Sequence, residues 1–180
     1  MIKYKRIALR HVLESDLPSL TQVLTDPQTR GIYNPTRMGS PQAIEKRFRE
    51  DGFANDEHEM FLVCDPSGAV IGDVLHFRAR RYSSGREIGW TIHNPVHRNQ
   101  GYATEAVTAL VDYLFQAFPI NRVECNTATT NLPSLRLAEK CGFTHEGVLR
   151  GLVFVGGVYL DDAVFSILRS EWDQRRSNTT

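Results

Sequence analysis

The residues best placed to do chemistry stand where a strand pattern gives way to a helix pattern. Between His97 and Glu105 the chain places an arginine, Arg98, before two small residues, Gly101 and Ala103. Unpaired N–H groups converge at a helix start, and the helix dipole adds about half a positive charge there. Small residues let this backbone approach an anion, and a guanidinium adds a fork of donors. The junction is therefore compatible with phosphate binding, but many helices begin with such residues and bind no phosphate. A Walker-type loop is excluded because its glycine-lysine motif does not occur.

The segments around this junction must hold it in place. Residues Glu87–Ile92 alternate polar and apolar side chains, which predicts a strand with one apolar face. From Ala103 to Phe118 apolar residues recur at helical spacing, so a helix is expected there. A further strand is predicted at Arg122–Thr127, and a second helix from about Leu132 to Cys141, with Asn131 as its N-cap.

The whole chain reads as β-α-α-β-β-β-α-β-α-β-β, which predicts an α+β (mixed α/β) fold with helices packed against a mixed sheet. The segment from Thr29 to Gly39 is rich in turn residues and is expected to be a loop. Gly156-Gly157 is typical of a hairpin turn between the last two strands. Residues 1–174 are expected to form one domain, and residues 175–180 a disordered tail.

The composition limits the classes of partner. The chain of 180 residues has 21 Lys+Arg and 21 Asp+Glu, so its formal net charge is zero. A general nucleic-acid binder would need a basic excess, and a membrane partner an apolar span or a polybasic tether. Three cysteines without C-x-x-C spacing favour neither a disulfide framework nor a zinc site. With no signal peptide recognisable, a cytoplasmic location is expected.

Two motifs resemble those of the GNAT superfamily of N-acyltransferases. Arg98-x-x-Gly101-x-Ala103 is similar to its acyl-CoA pyrophosphate loop, Q/R-x-x-G-x-G/A. A second signature starts at Asn131 and Ser134 and ends at Gly142-Phe143. Within the superfamily the chain most resembles the RimJ/RimL-like branch, which includes ribosomal-protein N-terminal acetyltransferases. The resemblance implies a GNAT-like fold: a sheet of about seven mostly antiparallel strands, splayed between the fourth and fifth, with about four helices.

The resemblance also implies acetyl-CoA as co-substrate, and no metal. The pantetheine arm would bond to the backbone of the splayed strand ending at Ile92, and the pyrophosphate would cap the following helix. The implied cofactor-binding residues are Ile92, Arg98, Asn99, Gln100, Gly101, Tyr102, Ala103, Thr104, Asn131 and Ser134.

An amine must lose a proton to attack a thioester, so a general base is useful. Glu87, at the start of the splayed strand, is the candidate base, because the histone-modifying branch of the superfamily is similar at that position. A surface ion pair is the competing interpretation of this glutamate. His76 and His93 are reserve candidates.

The candidate acid is a serine. Many superfamily members carry a tyrosine seven residues after the motif asparagine, but here that residue is Ala138. The resemblance to RimL-like enzymes instead implies Ser134, near the CoA sulfur; a hydroxyl serving its own helix turn is the alternative. Residues Gly151 to Phe154 contain no counterpart of the catalytic glutamate of that branch, which weakens an assignment to ribosomal proteins.

The sequence thus favours an N-acetyltransferase in which the amine attacks acetyl-CoA directly in a ternary complex. The expected acceptor is a protein amino terminus or a small-molecule amine. Its site is expected to be built from the Thr29–Gly39 loop, the helix predicted to start at the Ser40-Pro41 cap, and the closing hairpin. The alternative is a non-catalytic acyl-CoA-binding sensor. No nucleic acid and no membrane are expected as partners, and a homodimer is compatible with the sequence.

Overall fold

The computed structural model describes residues 1–26, 31–34, 36, 39–79 and 85–177. Eight strands in this part of the chain form one sheet in the order β1-β2-β3-β4-β5-β6-β8-β7. They are β1 Ile2–Tyr4, β2 Ile7–His11, β3 His58–Cys64, β4 Val70–Arg78, β5 Arg86–Ile92, β6 Arg122–Ala128, β7 Thr144–Val155 and β8 Val158–Leu168. Neighbouring strands are antiparallel except β5 and β6, which are parallel.

Five α-helices accompany the sheet in the same described residues. They are α1 Leu17–Thr25, α2 Pro41–Asp51, α3 Tyr102–Ala117, α4 Leu132–Lys140 and α5 Arg169–Ser177. Local sequence explains two of the starts: the Ser40 hydroxyl accepts from the Ala43 N–H at α2, and the Asn131 side chain accepts from the Ser134 N–H at α4. Both are the N-cap arrangement that polar side chains favour.

The helices cover the two faces of the sheet separately. On one face, Leu110 of α3 packs in a large core with Ile88 of β5 and Val123 of β6. On the other face, Leu20 of α1 and Ile44 of α2 form a smaller core over β3 and β4. Each strand between the layers therefore presents alternate side chains to α3 and to the α1–α2 side.

The mixed sheet and the splay confirm the predicted fold, with one more strand and one more helix than expected. The added strand β1 has only three residues, too few to show a period. Helix α5 has no apolar stripe and is held by individual side chains. Trp172 stacks on Phe115 and donates from Nε1 to Asp112, at 2.7 Å, and Arg169 donates to the main-chain oxygens of Ile120 and Phe118. Arg175–Ser177, expected in a disordered tail, belong to this helix; residues 178–180 lie outside the described part.

The splay lies between the two strands for which it was predicted, which become β5 and β6 because β1 precedes the expected first strand. Within the described chain these strands pair at two positions, Arg86 with Val123 and Glu87 with Glu124. Beyond Glu87, β5 continues to Ile92 on its antiparallel partner β4 alone. The edge of β5 facing β6 is therefore open over its second half.

A buried polar cluster centred on Glu59 joins β3 and β4 to α3. Glu59 is nearly buried, and its carboxylate contacts His11 Nε2 at 2.6 Å, His76 Nε2 at 2.9 Å and the Tyr113 hydroxyl at 3.0 Å. Burial alone would raise the pKa of Glu59, but the hydrogen bonds from His76, His11 and Tyr113 outweigh it and lower the pKa to about 2. The charged carboxylate thus links β2, β3, β4 and α3.

We expect Glu59→Gln to lower the free energy of unfolding at pH 7 by about 1–3 kcal/mol, because three hydrogen bonds lose their charged acceptor. A depressed pKa contributes stability above the usual value of 4.5 and loses it as the pH falls toward 2. The gap between variant and wild type in urea unfolding should therefore shrink over that pH range. Glu57→Gln, at an exposed ion pair with Arg78, is the control and should change stability little. A gap that is constant with pH would contradict this role of the charge.

Candidate active site

The open end of the splay is bordered by two helix N-termini. Because β5 and β6 are parallel, their carboxyl ends point to the same edge of the sheet. The chain after β5 leads into α3, and the chain after β6 leads into α4. The positive ends of two helix dipoles therefore follow the two strands that border the gap.

The loop before α3 leaves the start of that helix uncapped. Its N-cap is Gly101, at φ +87°, which has no side chain to accept from the first turn. Asn99 also adopts a left-handed conformation, at φ +59°. The two left-handed residues turn the chain sharply into the helix. The N–H groups of the first turn of α3 are thus left to an external acceptor, unlike those of α2 and α4.

Two residues predicted for the cofactor contact each other here. The Arg98 side chain donates from Nε and Nη2 to the main-chain oxygen of Ile92, at 3.4 and 3.3 Å. This contact ties the loop to the last residue of β5 and keeps the guanidinium beside the open strand edge.

Arg6 supports the same loop, and sequence reasoning missed it. From the β1–β2 turn its guanidinium donates to Glu105 Oε1 at 2.6 and 2.8 Å and to the Gln100 main-chain oxygen at 2.8 Å, and it lies over the Tyr102 ring. The carboxylate of Glu105 in the first turn of α3 would repel a bound phosphate, and Arg6 neutralises it. No local signal could reveal this residue, because 99 positions separate it from Glu105.

Glu87 stands at the closed end of the splay, where the pairing of β5 and β6 ends. Asn126 of β6 reaches across the gap and donates from Nδ2 to Glu87 Oε1, at 3.2 Å. A carboxylate accepts and never donates when ionised, so this contact fixes which end of the amide faces Glu87. Asn126 was not predicted, and it orients the candidate base.

Ser134 occupies the first turn of α4. Its main-chain N–H is satisfied by Asn131, while its hydroxyl makes no hydrogen bond within the described residues. The hydroxyl is therefore not needed for its own helix turn. Ala138, one helical turn later, is fully buried in the α3-side core, so this position serves packing.

The reserve histidines are engaged elsewhere. His76 is fully buried in the Glu59 cluster on the α3 side, and His93 contacts Asp73 through Nε2 at 2.8 Å. The thiols of Cys125 and Cys141 are also poor nucleophiles, because burial raises the pKa of Cys125 and raises that of Cys141 to about 11.

The predicted acceptor loop lies only partly in view. Residues 29–30, 35 and 37–38 of the Thr29–Gly39 segment are outside the described residues, as are Arg80 and Arg81. The described Tyr33 donates its hydroxyl to the Thr130 main-chain oxygen, at 2.8 Å, which joins this segment to the turn between β6 and α4. The described residues include no His, Cys, Asp or Glu group that could hold a metal, and no helix long and apolar enough to cross a membrane.

Comparison with protein families matches residues 6–144 to the acetyltransferase (GNAT) domain. An uncharacterised N-acetyltransferase of Bacillus subtilis, YnaD, is 34% identical over 175 residues, covering 96% of this chain and 99% of YnaD. A spermidine N(1)-acetyltransferase of Vibrio cholerae is 31% identical over 170 residues, covering 94% and 97%.

Solved structures show the same fold. Spermidine N-acetyltransferase from Vibrio cholerae, in complex with CoA and spermine, aligns with a TM-score of 0.82 at 23% identity, covering 93% of this chain and 98% of that one. RimL, a ribosomal L7/L12 alpha-N-protein acetyltransferase in complex with CoA, aligns with a TM-score of 0.80 at 19% identity, covering 92% and 96%.

We expect Arg6→Gln to weaken the binding of CoA by about threefold to tenfold. The variant removes the ion pair that neutralises Glu105 and the hydrogen bond to the Gln100 main-chain oxygen that holds the loop in place. Isothermal titration with CoA measures the change. Lys3→Gln removes a positive charge from exposed β1 nearby and is the control, which should bind as wild type does. Equal losses in both variants would mean that only the general charge matters, and no loss in Arg6→Gln would contradict the supporting role.

Proposed function

The chain belongs to the family of GNAT acetyltransferases, and on that basis we propose that it transfers the acetyl group of acetyl-CoA to a primary amine by direct attack in a ternary complex. One observation carries the proposal: the splay of β5 and β6 opens toward the uncapped N-terminus of α3. This arrangement offers an extended strand edge for an amide-bearing arm and a cluster of N–H groups for its phosphates.

Acetyl-CoA fits both parts of this arrangement. The pyrophosphate caps the first turn of α3, where Gly101, Tyr102, Ala103 and Thr104 present their N–H groups. The pantetheine arm lies along the open edge of β5 toward Ile92. Arg98 and Arg6 keep the loop in place, and Arg98 adds a positive charge beside the phosphates.

In the reaction the amine nitrogen attacks the thioester carbonyl, a C–N bond forms and the C–S bond breaks. The proton released by the amine passes to Glu87, directly or through water, and Asn126 holds the carboxylate toward the gap. A main-chain N–H of the open edge of β5 stabilises the oxyanion. The Ser134 hydroxyl donates to the departing thiolate, directly or through water. No acetylated side chain is needed, which agrees with the raised pKa of both thiols.

The acceptor proposed is a primary amine, either a protein amino terminus or a small molecule. Relatives of both kinds support this range: one is named for spermidine and the other for the alpha-amine of a ribosomal protein. The alternative, a non-catalytic acyl-CoA sensor, would use the same CoA site but would not turn over acetyl-CoA. The relatives named above are named as enzymes, which favours catalysis over this alternative. Residues 151–154 still contain no counterpart of the catalytic glutamate of RimL-like enzymes. Leu152 and Phe154 in this segment are exposed apolar residues.

A homodimer stays a prediction. The surface that would support it is the edge hairpin of β7 and β8, which exposes large apolar side chains: Leu149, Leu152, Phe154, Val158 and Tyr159. Exposed apolar groups of this kind often mark contacts between chains.

The proposed reaction predicts release of free CoA thiol when acetyl-CoA is mixed with the enzyme and a suitable amine. A panel should pair small amines with peptides, each peptide supplied with a free and with a blocked amino terminus as the matched control. Turnover with any free amine and none with its blocked form supports the proposal. Binding of acetyl-CoA without thiol release across the panel would favour the sensor, and failure to bind acetyl-CoA would contradict both functions.

We expect Glu87→Gln to lower kcat by about a hundredfold or more, because the amide cannot accept the proton of the amine. The acid limb of the pH–rate profile should disappear with it, while binding of acetyl-CoA in isothermal titration stays close to wild type. Glu139→Gln, at an exposed position of α4, is the control and should keep normal turnover. An unchanged kcat and an unchanged pH profile would assign the base elsewhere.

A further inference from the structure

Two hydrogen-bond acceptors that lack partners among the described residues lie diagonally opposite each other on the neighbouring strands β6 and β8. The Oδ1 atom of Asn126 is buried and has no partner in the described part of the chain. Asp162 is 5% exposed, and its carboxylate makes no hydrogen bond or ion pair with any described residue. Buried acceptors without partners are costly, and a buried carboxylate costs most. A structure that keeps two of them together points to a ligand that supplies donors.

The sheet register puts both groups on the face that carries Glu87. Asn126 of β6 pairs with Val164 of β8, and Ala128 pairs with Asp162. Their neighbours along the strands, such as Cys125 and Phe165, point into the α3-side core. Alternation along a strand therefore turns Asn126 and Asp162 to the opposite, α1–α2 side.

The two cross-strand pairs on this face, Asn126 with Val164 and Ala128 with Asp162, form a rectangle. One diagonal of the rectangle is polar and the other is apolar. Asn126 and Asp162 are diagonal cross-strand neighbours, which places them about 7–8 Å apart. Ala128 and Val164 occupy the other diagonal and are 6% and 8% exposed. The ligand that fits has an N–H donor at each end and an aliphatic chain between them.

No cation among the described residues balances the charge of Asp162. Nearby on the same face, Arg122 forms ion pairs with both Glu124 and Glu146, so each of these carboxylates has a cationic partner, which Asp162 lacks within the described residues. Burial raises the pKa of Asp162 above its usual value, as expected where no cation is close. An ammonium group would supply both the missing charge and the missing donors.

We propose that Asn126 and Asp162 form an acceptor subsite that selects small diamines, with the Asn126 amide oxygen accepting from the reacting amine and the Asp162 carboxylate binding the second, charged amine. The subsite rests on the proposed function, because Asn126 also contacts the base Glu87. The amine held at Asn126 is thereby presented beside Glu87 at the splay, and the chain between the amines lies on Ala128 and Val164.

Diaminobutane and butylamine test the subsite, because they share one carbon chain and differ by the second amine. Wild-type kcat/KM should favour diaminobutane by about tenfold or more, well above the statistical advantage of two reactive amines, and the difference should lie in KM. Asp162→Asn should bring the ratio of the two amines close to one by raising KM for the diamine. Asp161→Asn is the matched control: that exposed carboxylate accepts from the Gly151 N–H, which an asparagine can also do, so the ratio should hold.

Equal kcat/KM for the two amines in wild type would overturn the subsite while leaving the proposed function intact. If no amine supports thiol release, the proposed function fails, and melting temperatures with CoA present decide the subsite alone. Diaminobutane should then raise the wild-type melting temperature more than butylamine does, and Asp162→Asn should abolish that difference. The variant itself should fold at least as stably as wild type, because it removes a buried charge without a partner. A clear loss of stability would show that Asp162 has a structural partner and would overturn the inference.

Discussion

The parallel pairing of β5 and β6 stops after two residue pairs, and the rest of the molecule depends on that interruption. A continuous ladder would satisfy the backbone of β5 and leave no edge for a ligand. The gap persists because each strand is held on its other side, β5 by β4 and β6 by β8. Both strands also contribute to the α3-side core, so hydrophobic burial replaces the hydrogen bonds that the gap gives up.

At two places charged side chains stabilise the structure, one by offsetting a nearby charge and the other by accepting several hydrogen bonds. Arg6 offsets Glu105 at the start of α3, and Glu59 joins three partners between β3, β4 and the same helix. Arg6 donates to Glu105 and to the Gln100 main-chain oxygen, whereas Glu59 accepts from three segments of the chain. Asp162 is the exception among these, because the fold supplies it with no cation in the described residues, and such an exception is where a binding site is expected.

Local patterns were sufficient for most of the fold. The α3 stripe, the caps at Ser40 and Asn131 and the Gly156-Gly157 turn all act over a few residues, so their elements could be predicted. Helix α5 could not, because it depends on long-range contacts such as the packing of Trp172 against Phe115, which lies 57 positions earlier in the sequence. The GNAT resemblance supplied the splay and the loop from Arg98 to Thr104. It did not supply Arg6 or Asn126, whose roles arise from contacts between distant segments.

By itself the sequence determined the family and the position of the strand-to-helix junction that is proposed to bind acetyl-CoA, because those features depend on residues that are neighbours in the chain. The balanced charge of 21 basic and 21 acidic residues also excluded a general polyanion binder. Only the tertiary structure decided which charges are neutralised and which are not. Arg122 meets Glu124 and Glu146, while Asp162 meets no cation in the described chain, and strand register alone brings that carboxylate beside Asn126. The sequence determines which side chains are present, but the register of the strands in the sheet determines which of them lie close together.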